Sequence, residues 1–125
     1  MKYKEVLQQI VNDISLAYKA FPEGTKIYIG KADNKEETIK RHEDQEDLNY
    51  TTFLAKGSPA IIAKLETDLI YYFKKSEIPV LNDKIGSPGN PNANMVYVCF
   101  DNSVPDDIDG EIGLQLTYDN QIQID

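Results

Sequence analysis

Tyr28, Arg41 and Glu66 are the side chains of this sequence from which chemistry could be assembled. The first lies in a short apolar run, "KIYIG". The second closes the charged run "KEETIKRH", where Lys40, Arg41 and His42 are consecutive, and the third interrupts a helical apolar pattern in "KLETDLIYYF". A guanidinium grips a phosphate by parallel hydrogen bonds, a carboxylate is a hard oxygen ligand for a divalent cation, and a phenol can position an attacking water. The plainer account of the same residues is a packed strand tyrosine, a solvated arginine, and a glutamate satisfied by Lys64 or Arg41. Which account holds depends on the elements that carry them.

Tyr3, Val6, Leu7, Ile10, Val11, Ile14, Tyr18 and Phe21 recur at i, i+3 and i+4, which predicts an amphipathic N-terminal helix closed by Pro22, Glu23 and Gly24. "KIYIG" reads as a strand with Ile27 and Ile29 on one face and Tyr28 on the other. After a turn at Ala32 to Asn34, "KEETIKRHEDQEDL" reads as an exposed helix with Ile39 as its main apolar anchor, fraying before Asn49. "YTTFLA" is a short strand or an extended connection. Ser58 followed by Pro59 marks the start of the next helix. Its apolar side carries Ile62, Leu65, Leu69, Tyr72 and Phe73, with Glu66 half-buried at the edge. Asn82 to Asn94 is a polar, turn-rich loop, and "MVYVCF" is a buried strand. Ile112, Leu114, Leu116 and Tyr118, a turn at Asp119 and Asn120, then Ile122 and Ile124 read as a C-terminal β-hairpin with one apolar face.

The chain has 125 residues, which suits a single domain able to bury about two-thirds of its unfolded surface. The formal net charge is −8, but seven of the 21 acids follow Lys84 with no base among them, leaving 14 acids against 13 bases before it. A near-neutral body thus carries an acidic C-terminal third, which would repel a long duplex unless it faced away. The one cysteine, Cys99, excludes an intrachain disulfide framework and a cysteine-rich zinc site, and fits a reducing, cytoplasmic compartment. The N-terminal stretch has neither the pattern of a signal peptide nor that of a membrane span. "GSPG" lacks the lysine and helix of a phosphate-binding loop, and no serine or cysteine nucleophile stands in a recognisable context.

From Lys26 to Phe100 the order of these features resembles the GIY-YIG nuclease superfamily: a "YIG" strand, a turn, a helix with an arginine, a later helix with a glutamate, and an asparagine after "IPVL". The resemblance implies an α+β fold, a small mixed or antiparallel sheet flanked by helices. The expected parts are an N-terminal helix over 1–24, a GIY-YIG-like core over 25–101 and an acidic hairpin over 102–125. It implies catalytic roles for Tyr28, Arg41, Glu66 and Asn82, with Glu66 holding one Mg²⁺ or Mn²⁺, and ligand contacts from Gly30, Lys31 and His42. Two features depart from the family: the acidic C-terminal third, and the absence of a "GIY" strand before "YIG", whose tyrosine only Tyr18 or Tyr97 could replace.

The function expected on this basis is metal-dependent hydrolysis of phosphodiesters in nucleic acid. The alternative is a non-catalytic relative that binds a nucleotide signal or inhibits a host nuclease, as phage and mobile-element counter-defence proteins would. The expected partners are nucleic acid or a small nucleotide, a protein target through the acidic third, and a second copy through the hairpin.

Overall fold

Apolar spacing in two long segments and β-branched runs in three short ones produce an α+β fold. Its elements are α1 (Tyr3–Tyr18), β1 (Ile27–Ala32), α2 (Lys35–Gln45), β2 (Tyr50–Lys56), α3 (Pro59–Lys74), β3 (Met95–Phe100) and β4 (Ile122–Gln123). The structure is a computed structural model that describes residues 2–45, 50–82, 90–101 and 122–124, without the side chains of residues 41–45 and 50. The proposed loop residues 83–89, the turn at Asp119 and Asn120, and the first hairpin strand with Ile112, Leu114, Leu116 and Tyr118 lie outside the described residues. Among those described, no helix is long and apolar enough to cross a membrane.

The sheet is mixed, with strand order β1-β3-β2-β4. β3 runs antiparallel to both β1 and β2, with Tyr28 opposite Cys99 and Gly30 opposite Tyr97. All six residues of "MVYVCF" are buried, as a central strand covered on both faces requires. β4 pairs parallel to β2, placing Ile122 opposite Ala55 and Gln123 opposite Lys56. Gly57 leaves room for this strand, because a Cβ there would lie 2.6 Å from the Ile124 carbonyl oxygen.

Alternation along the strands divides the interior in two. Ile27, Ile29, Val96, Val98 and Phe100 pack with Val6, Ile10, Val11, Ile14 and Ala17 of α1 and with Ile62, Leu65, Leu69, Ile70 and Phe73 of α3. Ala32, Phe53, Met95, Tyr97 and Cys99 form a smaller cluster on the other face, joined by Tyr28 and by Ile39 of α2. The pairing of β2 with β3 shifts register between Phe53 and Ala55, so Leu54 and Ala55 both face the larger core.

α3 starts as its sequence signals: Ser58 is the N-cap, its hydroxyl accepts from Ile61 N, and Pro59 occupies the first turn. Its buried side differs from the expectation at two positions. Tyr72 is half exposed and Ile70 is buried. Glu66 is the reason: it stands inside the buried stripe, which runs along the rows 62-66-70 and 65-69-73. Treating Glu66 as an edge residue turned the expected stripe toward Tyr72.

Candidate functional site

The outer edge of β1 is the place where the predicted site residues can be related to one another. Here the chain after α3 runs beside β1. Ile27 N donates to Pro79 O at 2.9 Å and Leu81 N donates to Ile27 O at 2.8 Å. Asn82 then continues the ladder with its side chain: Oδ1 accepts from Ile29 N at 2.9 Å and Nδ2 donates to Ile29 O at 2.7 Å. The carboxamide imitates one more peptide of a neighbouring strand. In the structure the Asn82 side chain therefore braces the backbone of the "YIG" strand.

Backbone groups of alternate strand residues point to the same edge. Ile27 and Ile29 are covered in this way, so the peptide groups of Lys31 face that edge beyond Asn82. Truncating the brace has a measurable consequence. Asn82→Ala is expected to lower stability by about 1–3 kcal/mol, since it strips two hydrogen bonds from partly buried peptide groups. Hydrogen exchange at the Ile29 amide should accelerate well beyond the global loss, and an unchanged rate would show that Asn82 holds nothing there.

Glu66 comes to this region from α3. It is 6 % exposed, and its Oε1 has no hydrogen-bond partner among the described residues. Burial pushes its carboxyl above the ordinary carboxylate range, and the positive charge of Lys31 opposes that shift without cancelling it. Lys31 shares its face of β1 with Ile27 and Ile29, the face on which α3 packs. Lys64, the partner that the plainer account offered, instead places its Nζ 4.3 Å from the centre of the Tyr3 ring. The structure thus brings Glu66 and Lys31 into one field and leaves a carboxylate oxygen uncommitted.

Tyr28 leaves β1 on the opposite face. Its ring lies 6.3 Å from that of Tyr97 on the neighbouring strand, and Tyr97 lies 5.4 Å from Phe53. Gly30 stands between the two tyrosines in sequence parity and lies under the Tyr97 ring, whose Cε1 would be 2.9 Å from a Cβ at Gly30. The strand that pairs with "YIG" thus supplies a second tyrosine, Tyr97, although it follows "YIG" in the chain instead of preceding it. Tyr18, the other candidate, donates its hydroxyl to Thr25 O at 2.6 Å at the end of α1.

Arg41 and His42 belong to α2, which packs on the Tyr28 face through Ile39, and their side chains lie outside the described residues. The sheet backbone accordingly separates the predicted set. Tyr28 and α2 stand on one side, Lys31 and Glu66 on the other, with Gly30 and Asn82 at the strand itself. A substrate that touches both groups must cross the edge of β1 at Lys31.

Sequence reasoning passed over the residues next to Lys31. A polar cleft of about 120 Å³ opens where β1 passes into α2, and Asp33, Asn34, Glu37, Thr38 and Asn90 line it together with Lys31. The available signal was Thr38, a short hydroxyl residue beside Ile39 in an otherwise charged helix. A larger groove, about 470 Å³, lies between α1 and α3 beside Leu7, Tyr71 and Tyr72 and includes none of the predicted site residues.

No family model matches the chain, and no curated protein or solved structure matches it either.

A single buried carboxylate with a free oxygen, beside an ammonium and an open strand edge, can bind a hard cation together with the phosphate that the cation bridges. Among the described residues no group of three or more histidine, cysteine, aspartate or glutamate side chains is assembled for a metal. A cation here would therefore keep several waters, which suits Mg²⁺ or Mn²⁺ better than a closed structural site does.

Proposed function

We propose that this chain is a GIY-YIG-like, divalent-metal-dependent hydrolase of phosphodiesters in nucleic acid, working at the edge of β1. The observation that carries the reading is the uncommitted Oε1 of buried Glu66 beside Lys31. Leaving a buried carboxylate oxygen without a partner costs about 1–3 kcal/mol or more, and a ligand for that oxygen accounts for the expense. Glu66 would hold the cation, which when bound supplies charge neutralisation at the phosphate and a more acidic water.

The protein's own groups then have separate tasks. The Lys31 ammonium attracts the phosphate, and its peptide N–H is directed toward the same edge. Arg41, carried by α2, approaches from the Tyr28 side, and the Tyr28 hydroxyl holds the attacking water by a hydrogen bond. Hydrolysis forms one P–O bond from water and breaks one ester P–O bond, and the water's protons are shared between solvent and the departing alkoxide. Tyr97 fixes Tyr28 from the adjacent strand, the position that the missing "GIY" tyrosine would otherwise fill.

The test is cleavage of labelled single-stranded and duplex DNA and RNA with Mg²⁺ or Mn²⁺ by wild type and by Glu66→Ala. Metal-dependent cutting that falls at least about 100-fold in the variant is the expected result. Absence of cutting on every substrate by folded protein would overturn the reading.

One observation favours a second reading, in which the same site binds a nucleotide without cutting it. Tyr28 and Glu66 lie on opposite faces of the strand. Retention of a nucleotide with no turnover would support it, and would direct attention to sequestration of a nucleotide signal or to blocking a host nuclease.

A further inference from the structure

Lys31 has a second neighbour besides Glu66, the polar cleft at the start of α2. Its volume of about 120 Å³ corresponds to about four water molecules, the bulk of one furanose ring and too little for a sugar with its base. Its polar groups are already sorted by their other bonds. Asn34 Oδ1 accepts from Glu37 N at 3.0 Å, and Asn90 Oδ1 accepts from Asn92 N at 2.9 Å. The Asn90 amide is left with its NH₂ to donate.

Thr38 is the second, independent sign of a ligand. It is 5 % exposed and lines the cleft, and its hydroxyl makes no hydrogen bond to any described residue. Buried hydroxyls are satisfied in folded proteins, so an unmet one facing a cleft marks where a polar group is to be received.

The charges around the cleft narrow what that group can be. Asp33 and Glu37 oppose a second phosphate, and the Lys31 ammonium on the same wall opposes a cation. A neutral group that both donates and accepts hydrogen bonds remains. Beside a phosphate held at Lys31, that group is a sugar, and the hydroxyl that distinguishes ribose from deoxyribose has this dual character.

We propose that the Thr38 cleft binds the sugar of the nucleotide whose phosphate lies at Lys31, and that it selects ribose over deoxyribose. This rests on the phosphate site proposed above and adds the sugar class that the site takes. Thr38 and Asn90 donate to the ribose hydroxyls, and the Glu37 and Asp33 carboxylates accept from them.

The experiment is a calorimetric or NMR titration of the full chain with the dinucleotides ApA and dApdA in Mg²⁺, for wild type, Thr38→Val and Asn90→Ala, with cleavage followed in the same samples. The expected result is at least about tenfold tighter binding of ApA by wild type, the effect of one well-placed hydrogen bond. The preference should fall to within about twofold in Thr38→Val. Asn90→Ala, at an exposed position, should weaken the preference in the same direction and serves if Thr38→Val does not fold.

Equal affinities in wild type, no binding of either dinucleotide, or an unchanged preference in both folded variants would overturn the proposal. Ribose preference without cleavage would leave it standing and remove the hydrolase reading. Cleavage of both sugars with equal affinity would do the reverse.

Discussion

Glu66→Gln is expected to make the protein more stable and less active at once. The amide keeps the shape of the side chain and removes the need to bury a charge, so at pH 7 the variant should gain about 1–3 kcal/mol. Burial raises the folded-state pKa of Glu66 above its unfolded value, with Lys31 opposing. The folded protein therefore binds more protons than the unfolded chain between those two values, and stability is lost as pH rises through that window. The stabilisation by glutamine should accordingly be largest above the folded pKa and fade below the unfolded one. Thermal melts of both proteins across pH 3 to 8, repeated with Mg²⁺, would check it. Mg²⁺ should raise the wild-type midpoint near neutral pH and leave Glu66→Gln where it was, while cleavage by the variant should drop at least about 100-fold. A variant less stable than wild type at neutral pH would show that the carboxylate is satisfied in the folded protein.

The second large effect is expected at Gly30. Tyr97 crosses it so closely that a Cβ would meet the hydroxyl and ring carbons, and the ring cannot readily move. Tyr97 is 1 % exposed and is flanked by Phe53 and Tyr28. β1 cannot retreat either, since β3 pairs with it on one edge and Pro79, Leu81 and Asn82 bond to it on the other. Overpacking of this kind costs about 1–3 kcal/mol for alanine, and more for valine. Urea denaturation of Gly30→Ala should show the loss, and adding Tyr97→Leu should recover part of it because the crossing ring is gone. If the two substitutions were simply additive, contact between strand and ring would not be the cause.

The elements of this fold were far more legible in the sequence than the face on which each functional group would stand. Helical spacing gave α1, the Ser58-Pro59 pair gave the start of α3, and the unbroken apolar run "MVYVCF" gave the buried strand. "YTTFLA", left open between strand and connection, is most of β2. Those signals are local. The alternation of Tyr28 with Ile27 and Ile29 was equally readable, but which helix covers which face is decided by packing between distant segments. Only the fold puts α1 and α3 on one side and α2 on the other.

Glu66 shows the same limit within one helix. A charged residue at a core position looks like the border of an apolar stripe, and so Tyr72 was expected inside in place of Ile70. Asn82 carries no sequence mark of its bonds to the Ile29 peptide, because a carboxamide that replaces a strand residue is a matter of position alone. Tyr97 was legible as a stand-in only in residue type. Its place beside Tyr28 follows from the antiparallel register of β1 and β3.

The central place of β3 also sets an order of events for a chain made from its N-terminus. β1 and β2 are synthesised first, yet they are not neighbours in the sheet, and each needs β3 as its partner. Until "MVYVCF" has left the ribosome, both strands must wait with apolar residues uncovered, and α1 and α3 have no finished surface to pack on. The two tyrosines meet at that same late step. A nascent chain stalled before β3 would therefore contain the whole "YIG" strand, the arginine helix and Glu66 without their mutual arrangement, and would be a client for chaperones while the completed chain is not.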